Sequence, residues 1–262
     1  MHDIRKLNVM ENIMDENDHI AEHVKEHMTA HGILVVNEMG APGVGKTTTL
    51  KNIIERLQIA KPFVIEGDIE SDLDTKDLNA LGISAYQINT FGACHLDAPM
   101  IEHQVNEIEF DLENKERGIL FIENIGNLVC PAEFTIGEHV LMLISTVTEG
   151  SDKPYKYPLA FEKADIILLN KVDLIPYLDF DEEFFMKGVR ALNKTAPVFK
   201  VSGKTGEGFA EVAAWLEGRA AVLDINEHVH EHHGCGHEHV HEPHHEHGKE
   251  HEHCHDHHHS SR

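Results

Sequence analysis

A chain of 262 residues is long enough to bury the core of one large α/β domain and still carry a tail, and its 46 acidic against 22 basic residues give a formal charge of -24. That charge excludes nucleic acid and anionic lipid surfaces as natural partners. No apolar run approaches the roughly 18 residues that span a bilayer, and the opening stretch MHDIRKLNVMENIMDENDH lacks an apolar secretory core, so the cytoplasm is the expected address. Four cysteines, Cys94, Cys130, Cys235 and Cys254, are too few for a disulfide scaffold and point to metal or catalysis.

Residues from about Val9 to Ala30 space apolar positions Val9, Ile13, Ile20, Val24 and Met28 at intervals near three or four, which predicts a leading amphipathic helix packing on the domain that follows. After Gly32, the β-branched run ILVVN reads as a buried parallel strand and TTTLKNIIERLQ as a helix. Further short apolar runs, FVIEG, AYQIN, ILFIEN, VLMLISTV, DIILLN and APVFKVSG, alternate with helical stretches. This predicts an α/β fold in three layers, a mainly parallel twisted sheet with helices on both faces, which a phosphate loop such as GAPGVGKT after the first strand makes a P-loop NTPase. A last helix, roughly Gly208 to Val222, contains the single tryptophan, Trp215, read as a core anchor.

Beyond Asp224 the composition changes. The segment holds sixteen of the 24 histidines and almost nothing apolar, so burial cannot offset its ordering entropy, and it is expected to be disordered without metal. Histidine there alternates with Glu, Gly and Cys from His228 to His259, unlike the uninterrupted run of a purification tag. The expected division is a helix over 1–31, a nucleotide domain over 32–224 and a histidine-rich tail over 225–262.

GAPGVGKT, Gly40 to Thr47, fits the phosphate-loop pattern between a strand and a helix. Gly43 and Gly45, flanking Val44, let consecutive backbone N–H groups turn toward phosphates. The helix start adds positive dipole, Lys46 reaches the terminal phosphates, and Thr47, beside Thr48, can offer its hydroxyl to magnesium. NKVD, Asn170, Lys171, Val172 and Asp173, ends the strand DIILLN. A carboxylate at Asp173 accepts from guanine N1–H and the N2 amino group, neither of which adenine offers, so GTP is preferred over ATP. A site that leaves such a group unpaired with the wrong base can discriminate by about 10⁴. Ser202, Gly203 and Lys204 of VSGKTGEG are placed to close over the base. The competing reading makes Asn170 and Asp173 helix caps.

Asp68 and Glu123, each ending a strand, are the carboxylates expected near magnesium, with Asp68 the candidate for orienting the attacking water. Gly126 follows Glu123 closely enough to donate its N–H to the terminal phosphate. The competing reading makes either carboxylate a cap for the following helix. FGACHLDAP places Cys94 and His95 side by side, and GNLVCP brings Cys130 four residues after Gly126. Spacing alone is equally compatible with two buried cysteines and with three ligands of a zinc or nickel site that a symmetric dimer would complete. Because Cys130 lies on the segment beginning at Glu123, a nucleotide-driven shift of that segment would move a ligand.

With GAPGVGKT, EGDI, QINTFGACHLDAPM, ENIGNLVCPAEF, NKVDL and SGKTGEG in this order, the chain resembles the hydrogenase-maturation GTPase HypB family over about Val9 to Val222. The related urease-maturation GTPases carry a Cys-Pro-His run that is absent here. The resemblance implies a SIMIBI-type G domain with low GTPase activity, magnesium, and a homodimer favoured by GTP. It also implies an interface site for nickel or zinc at Cys94, His95 and Cys130. The partners implied are a hydrogenase maturation protein and the hydrogenase large-subunit precursor. The chain departs from relatives with a Cys-rich amino-terminal nickel site, since MHDIRKL has no cysteine. The tail is then a nickel store beside a GTP-controlled delivery site. A different class remains open: a histidine-rich nickel-buffering protein whose GTPase module is regulatory. An ATP-dependent kinase or ligase on the same phosphate loop is disfavoured by NKVD and SGK.

Overall fold

The computed structural model describes residues 4–67, 83–90, 92–113 and 116–223, with side chains described from residue 13 onward. Asp68, Cys235, Cys254 and the histidine-rich tail lie outside the described residues.

Helix α1 (Ile4–Ala30) leads into β1 (Ile33–Gly40), the phosphate-loop turn and α2 (Lys46–Ile54). Then follow β2 (Lys61–Glu66), β3 (Ser84–Gln87), α3 (Ala98–Glu107), β4 (Gly118–Glu123) and the single turn α4 (Cys130–Glu133). The second half contains β5 (Val140–Thr146), α5 (Lys153–Lys156), α6 (Pro158–Lys163), β6 (Ile166–Asn170), α7 (Glu182–Leu192), β7 (Val198–Lys200) and α8 (Phe209–Ala221). The strands form one sheet in the order β3-β2-β4-β1-β5-β6-β7, with every pairing parallel. All seven apolar runs picked out in the sequence are strands of it. Burial on both faces explains why the five inner strands read as near-continuous apolar runs, whereas the edge strands β3 and β7 are only partly buried.

Alternation along each strand divides the apolar residues between two layers. Leu34, Val36, Val64, Phe121, Met142 and Leu168 pack with Leu50 and Ile53 of α2 and with Phe209, Val212 and Leu216 of α8. On the opposite face, Val35, Ile65 and Leu120 pack with Val24 and Met28 of α1 and Ile101 of α3. Leu141, Leu143 and Ile167 meet Phe161 of α6 and Phe185 of α7 there. Trp215 is a half-buried edge of the first cluster, with the Arg219 guanidinium 5.8 Å from its ring centre.

The leading helix departs from expectation in two ways. It begins earlier than Val9, and its apolar stripe is buried only toward the carboxyl end: Val24 and Met28 are buried, whereas Ile13 is 52% exposed. What fixes its middle is a buried amide. Asn17 donates from Nδ2 to the Thr135 carbonyl at 2.9 Å and accepts the Ala98 N–H at 3.0 Å, clasping the start of α3 and the segment after α4.

Candidate nucleotide and metal site

The functional residues gather at the carboxyl ends of the central strands, where a parallel sheet opens its loops. Gly43 and Gly45 adopt φ of 76° and 95°, the left-handed region a side chain would resist, and α2 starts at once with no side-chain cap. Its first N–H groups are therefore directed at the loop, as phosphate binding requires. Lys46 Nζ is 3.8 Å from Glu123, and the Thr47 hydroxyl donates to both Glu123 oxygens at 3.3 and 3.2 Å. A hydroxyl and a carboxylate side by side are the hard oxygen donors that magnesium takes. No helix starts between Glu123 and Cys130 among the described residues, so Glu123 is not a cap.

The base-side loops are tied to the phosphate loop. Asn170 Nδ2 donates to the Val44 carbonyl at 2.9 Å, its Oδ1 accepts the Gly203 N–H at 3.2 Å, and Lys171 Nζ reaches the Gly43 carbonyl at 2.7 Å. Lys171 takes a left-handed φ of 61°, unusual for a residue with a side chain and thus a local strain held by these bonds. The Ser202 hydroxyl donates to Asp173 at 2.6 Å, leaving the rest of that carboxylate to accept from a base. The turn after Lys171 has no side-chain cap, so Asn170 and Asp173 are not capping residues. Thr48 and Lys204 are exposed, and the Thr48 side chain lies against Gly203.

Cys94, His95 and Cys130 come together, with their candidate ligand atoms all within 4.8 Å of one another. Cys94 Sγ lies 3.4 Å from His95 Nδ1, and the His95 ring stacks on Phe134 with centroids 4.5 Å apart. Cys94 is exposed, which removes the reading of it as a small buried hydrophobe. The hydrogen bond with Cys130, followed by burial and the neighbouring sulfur, pushes the Cys94 thiol up from its ordinary value. Cys94 therefore gives up its proton more readily to a competing cation than to solvent alone.

One segment joins the two halves of the site. Asn124 Oδ1 accepts the Leu96 N–H, beside His95, at 3.2 Å, and the Asn127 amide donates to the Cys94 carbonyl at 3.4 Å. Asn127 also bridges to Gly40 of the phosphate loop. A Cβ on Gly126 would lie 3.0–3.3 Å from Pro42, so the glycine lets this segment press on the phosphate loop. Glu123 to Cys130 therefore touches nucleotide loop and cysteine cluster alike.

Sequence reasoning missed two contributors. Glu38, in register with Glu123 across β1 and β4, is fully buried, with no hydrogen-bond partner at either oxygen among the described residues. Burial, then the Glu123 carboxylate, pushes its carboxyl well above the usual range against the opposing pull of Lys46, beneath the phosphate loop. The available signal was an acidic residue inside a strand, next to Asn37. Asn124, the last residue of the run ILFIEN, was the other.

Comparison with known proteins agrees with this geometry. Residues 32–200 match the family described as CobW/HypB/UreG, nucleotide-binding domain. The hydrogenase maturation factor HypB of Azotobacter vinelandii is 45% identical over 214 residues, 81% of this chain and 69% of that protein. The chain belongs to the HypB family of hydrogenase maturation factors. A second HypB relative, the hydrogenase/urease maturation factor of Helicobacter hepaticus, is 36% identical over 83% of this chain and 89% of its own length. Among solved structures, Helicobacter pylori HypB in complex with nickel superposes with a TM-score of 0.74 at 34% identity, covering 79% of this chain and 95% of that one. Archaeoglobus fulgidus HypB gives 0.71 at 36% identity, covering 79% and 99%. The three-layer P-loop NTPase fold is thus shared. No helix among the described residues is long and apolar enough to cross a membrane.

Proposed function

We propose that this HypB-family chain is a GTP-hydrolysing metallochaperone that binds nickel, and zinc competitively, and delivers nickel during nickel-iron hydrogenase maturation. The observation that carries the reading is the Glu123–Cys130 segment, which presses on Pro42 through Gly126 and carries a sulfur of the Cys94–His95–Cys130 cluster. A nickel complex of a Helicobacter pylori relative and the maturation-factor names of the others support the cargo and the destination.

In this reading Gly40, Gly43, Val44, Gly45, Lys46, Thr47 and Thr48 hold the phosphates, while Asn170, Lys171, Asp173, Ser202, Gly203 and Lys204 hold guanine. Thr47 and Glu123 would hold magnesium, which would supply positive charge against that developing between the β- and γ-phosphates. Water attacks the γ-phosphorus, the bond to the β-phosphate oxygen breaks, and Lys46 stabilises the departing charge. Asp68, outside the described residues, is the proposed water-orienting base, and the Gly126 N–H reports whether the γ-phosphate is present. Loss of that phosphate releases the Gly126 segment and changes the position of Cys130. Metal affinity follows nucleotide state, and by linkage GTP affinity follows metal.

Two chains meeting at the cysteine clusters would supply six ligands, so we further propose a GTP-favoured homodimer that hands nickel to a hydrogenase maturation partner and the large-subunit precursor. The G domain is assigned to 32–224, α1 with the preceding residues to 1–31, and a nickel-storing tail to 225–262. Sixteen histidines in that tail favour a second reading, in which the protein chiefly buffers nickel and the GTPase is regulatory. Cells carrying Lys46→Ala separate the two readings. Hydrogenase activity lost despite normal nickel content supports delivery, and hydrogenase activity retained supports storage.

A further inference from the structure

Helix α1 carries His19, His23 and His27, and His31 follows its last residue with its N–H still bonded to the His27 carbonyl at 3.2 Å; the four are each four residues from the next and all exposed. Residues four apart share a helix face, the spacing by which two imidazoles chelate one ion. The structure pairs them: the His19 and His23 ring centroids are 4.5 Å apart, and those of His27 and His31 are 4.6 Å apart at 77°.

The two pairs are not equivalent. His31 Nδ1 lies 2.9 Å from the His27 carbonyl oxygen, which can only accept, so that nitrogen carries the proton and Nε2 is the outward lone pair. A ring whose other N–H is bound to a backbone carbonyl has the tautomer and orientation of a metal ligand. Burial, then the His31 ring, lowers the His27 pKa from its ordinary value, while Glu102 of the adjoining α3 pulls the other way. His27 is therefore a neutral donor with a carboxylate close by. The pair also ends α1, where the negative pole of the helix favours a cation. His19 and His23 have the spacing without the tautomer-fixing bond.

We infer that His27 and His31 form a second transition-metal site, separate from the Cys94–His95–Cys130 cluster, that takes a divalent nickel-, zinc- or copper-type ion by two imidazole nitrogens. Imidazole sites of this kind use ion–nitrogen bonds of roughly 2 Å, with water completing the shell. The site stands on its own geometry, so failure of the GTP-coupled cysteine site would leave it untouched.

The test is carbethoxylation footprinting of the full chain with nickel chloride as the probe. Trypsin cuts after Lys25, so His19 and His23 report in one peptide and His27 and His31 in another. At nickel concentrations that protect the tail peptides, modification of His27 and His31 should slow by about 10-fold, and that of His19 and His23 by less. In His31→Gln, protection of His27 should disappear, and in His27→Gln that of His31. Unprotected rings at saturating nickel, or protection of His27 that survives His31→Gln, would overturn the site.

Discussion

The base-recognition loops and the metal-bearing turn are built to different standards. Asn170 and Lys171 tie to the Val44 and Gly43 carbonyls and Asp173 is held by Ser202, so the guanine side forms a network closed on the phosphate loop. The cysteine cluster is held instead through backbone groups beside the ligands and one ring stack: Asn127 to the Cys94 carbonyl, Asn124 to the Leu96 N–H, and the His95 ring on Phe134. Base selection works best with groups already in place, whereas ligands that release cargo must be movable. The difference teaches that motion is expected at the cysteines and not at the base.

The largest effects should come from the closed network. Lys46→Ala should lower GTP turnover by about 10² or more, read by phosphate release, because the developing phosphate charge loses its cation. Asp173→Asn sharpens the specificity argument. A carboxamide accepts from N1–H but offers an N–H where guanine has an amino group, so GTP affinity should fall by about 10²-fold or more while xanthosine triphosphate, with a carbonyl there, gains. Nucleotide titrations check both arms, and unchanged GTP preference would remove Asp173 from the base site.

At the movable end, Cys130→Ala should remove nickel from the three-residue cluster while leaving metal-free GTP affinity unaltered. Equilibrium dialysis with and without nucleotide reads that. His139 offers an intermediate effect just behind the cluster. Burial first, then Lys25 and Arg219, lowers its pKa to about 4, so the neutral ring is the folded form. Its Nδ1 accepts the Val35 N–H, and Nε2 meets the Thr29 hydroxyl. The folded pKa lies below the unfolded value of about 6.5, so stability is full above that pH and is lost as pH falls toward 4. The loss amounts to about 3 kcal/mol, and His139→Gln should flatten that part of the urea-midpoint profile. Asn17→Ala should cost about 1–3 kcal/mol by leaving the Ala98 N–H and Thr135 carbonyl unpaired, visible as a lower urea midpoint. Ile13→Ser, at a half-exposed position, should cost less than 0.5 kcal/mol or so.

The strands were legible because β-branched runs buried on both faces leave a continuous apolar trace, as in ILVVN and DIILLN. The phosphate loop was legible because glycine spacing there is a backbone requirement. Less could be read where function depends on which loops meet: nothing in FGACHLDAP and GNLVCP says that Cys94 and Cys130 approach within bonding range of one ion. Asn17 looked like any polar residue on a charged helix face, and only the packed α3 shows that its amide is buried. Glu38 was hidden because it follows the run ILVVN, where an acidic residue reads as the strand's exit and not as a group buried inside it.

The central claim is that nucleotide state sets metal affinity through Glu123–Cys130. It is tested most directly by titrating nickel into a Cys235→Ser, Cys254→Ser chain with GDP or a non-hydrolysable GTP analogue, following thiolate-to-nickel charge-transfer absorption. The account predicts affinities that differ by about 5-fold or more between the two nucleotides, a difference abolished in Cys130→Ala. Equal affinities with both nucleotides would contradict it.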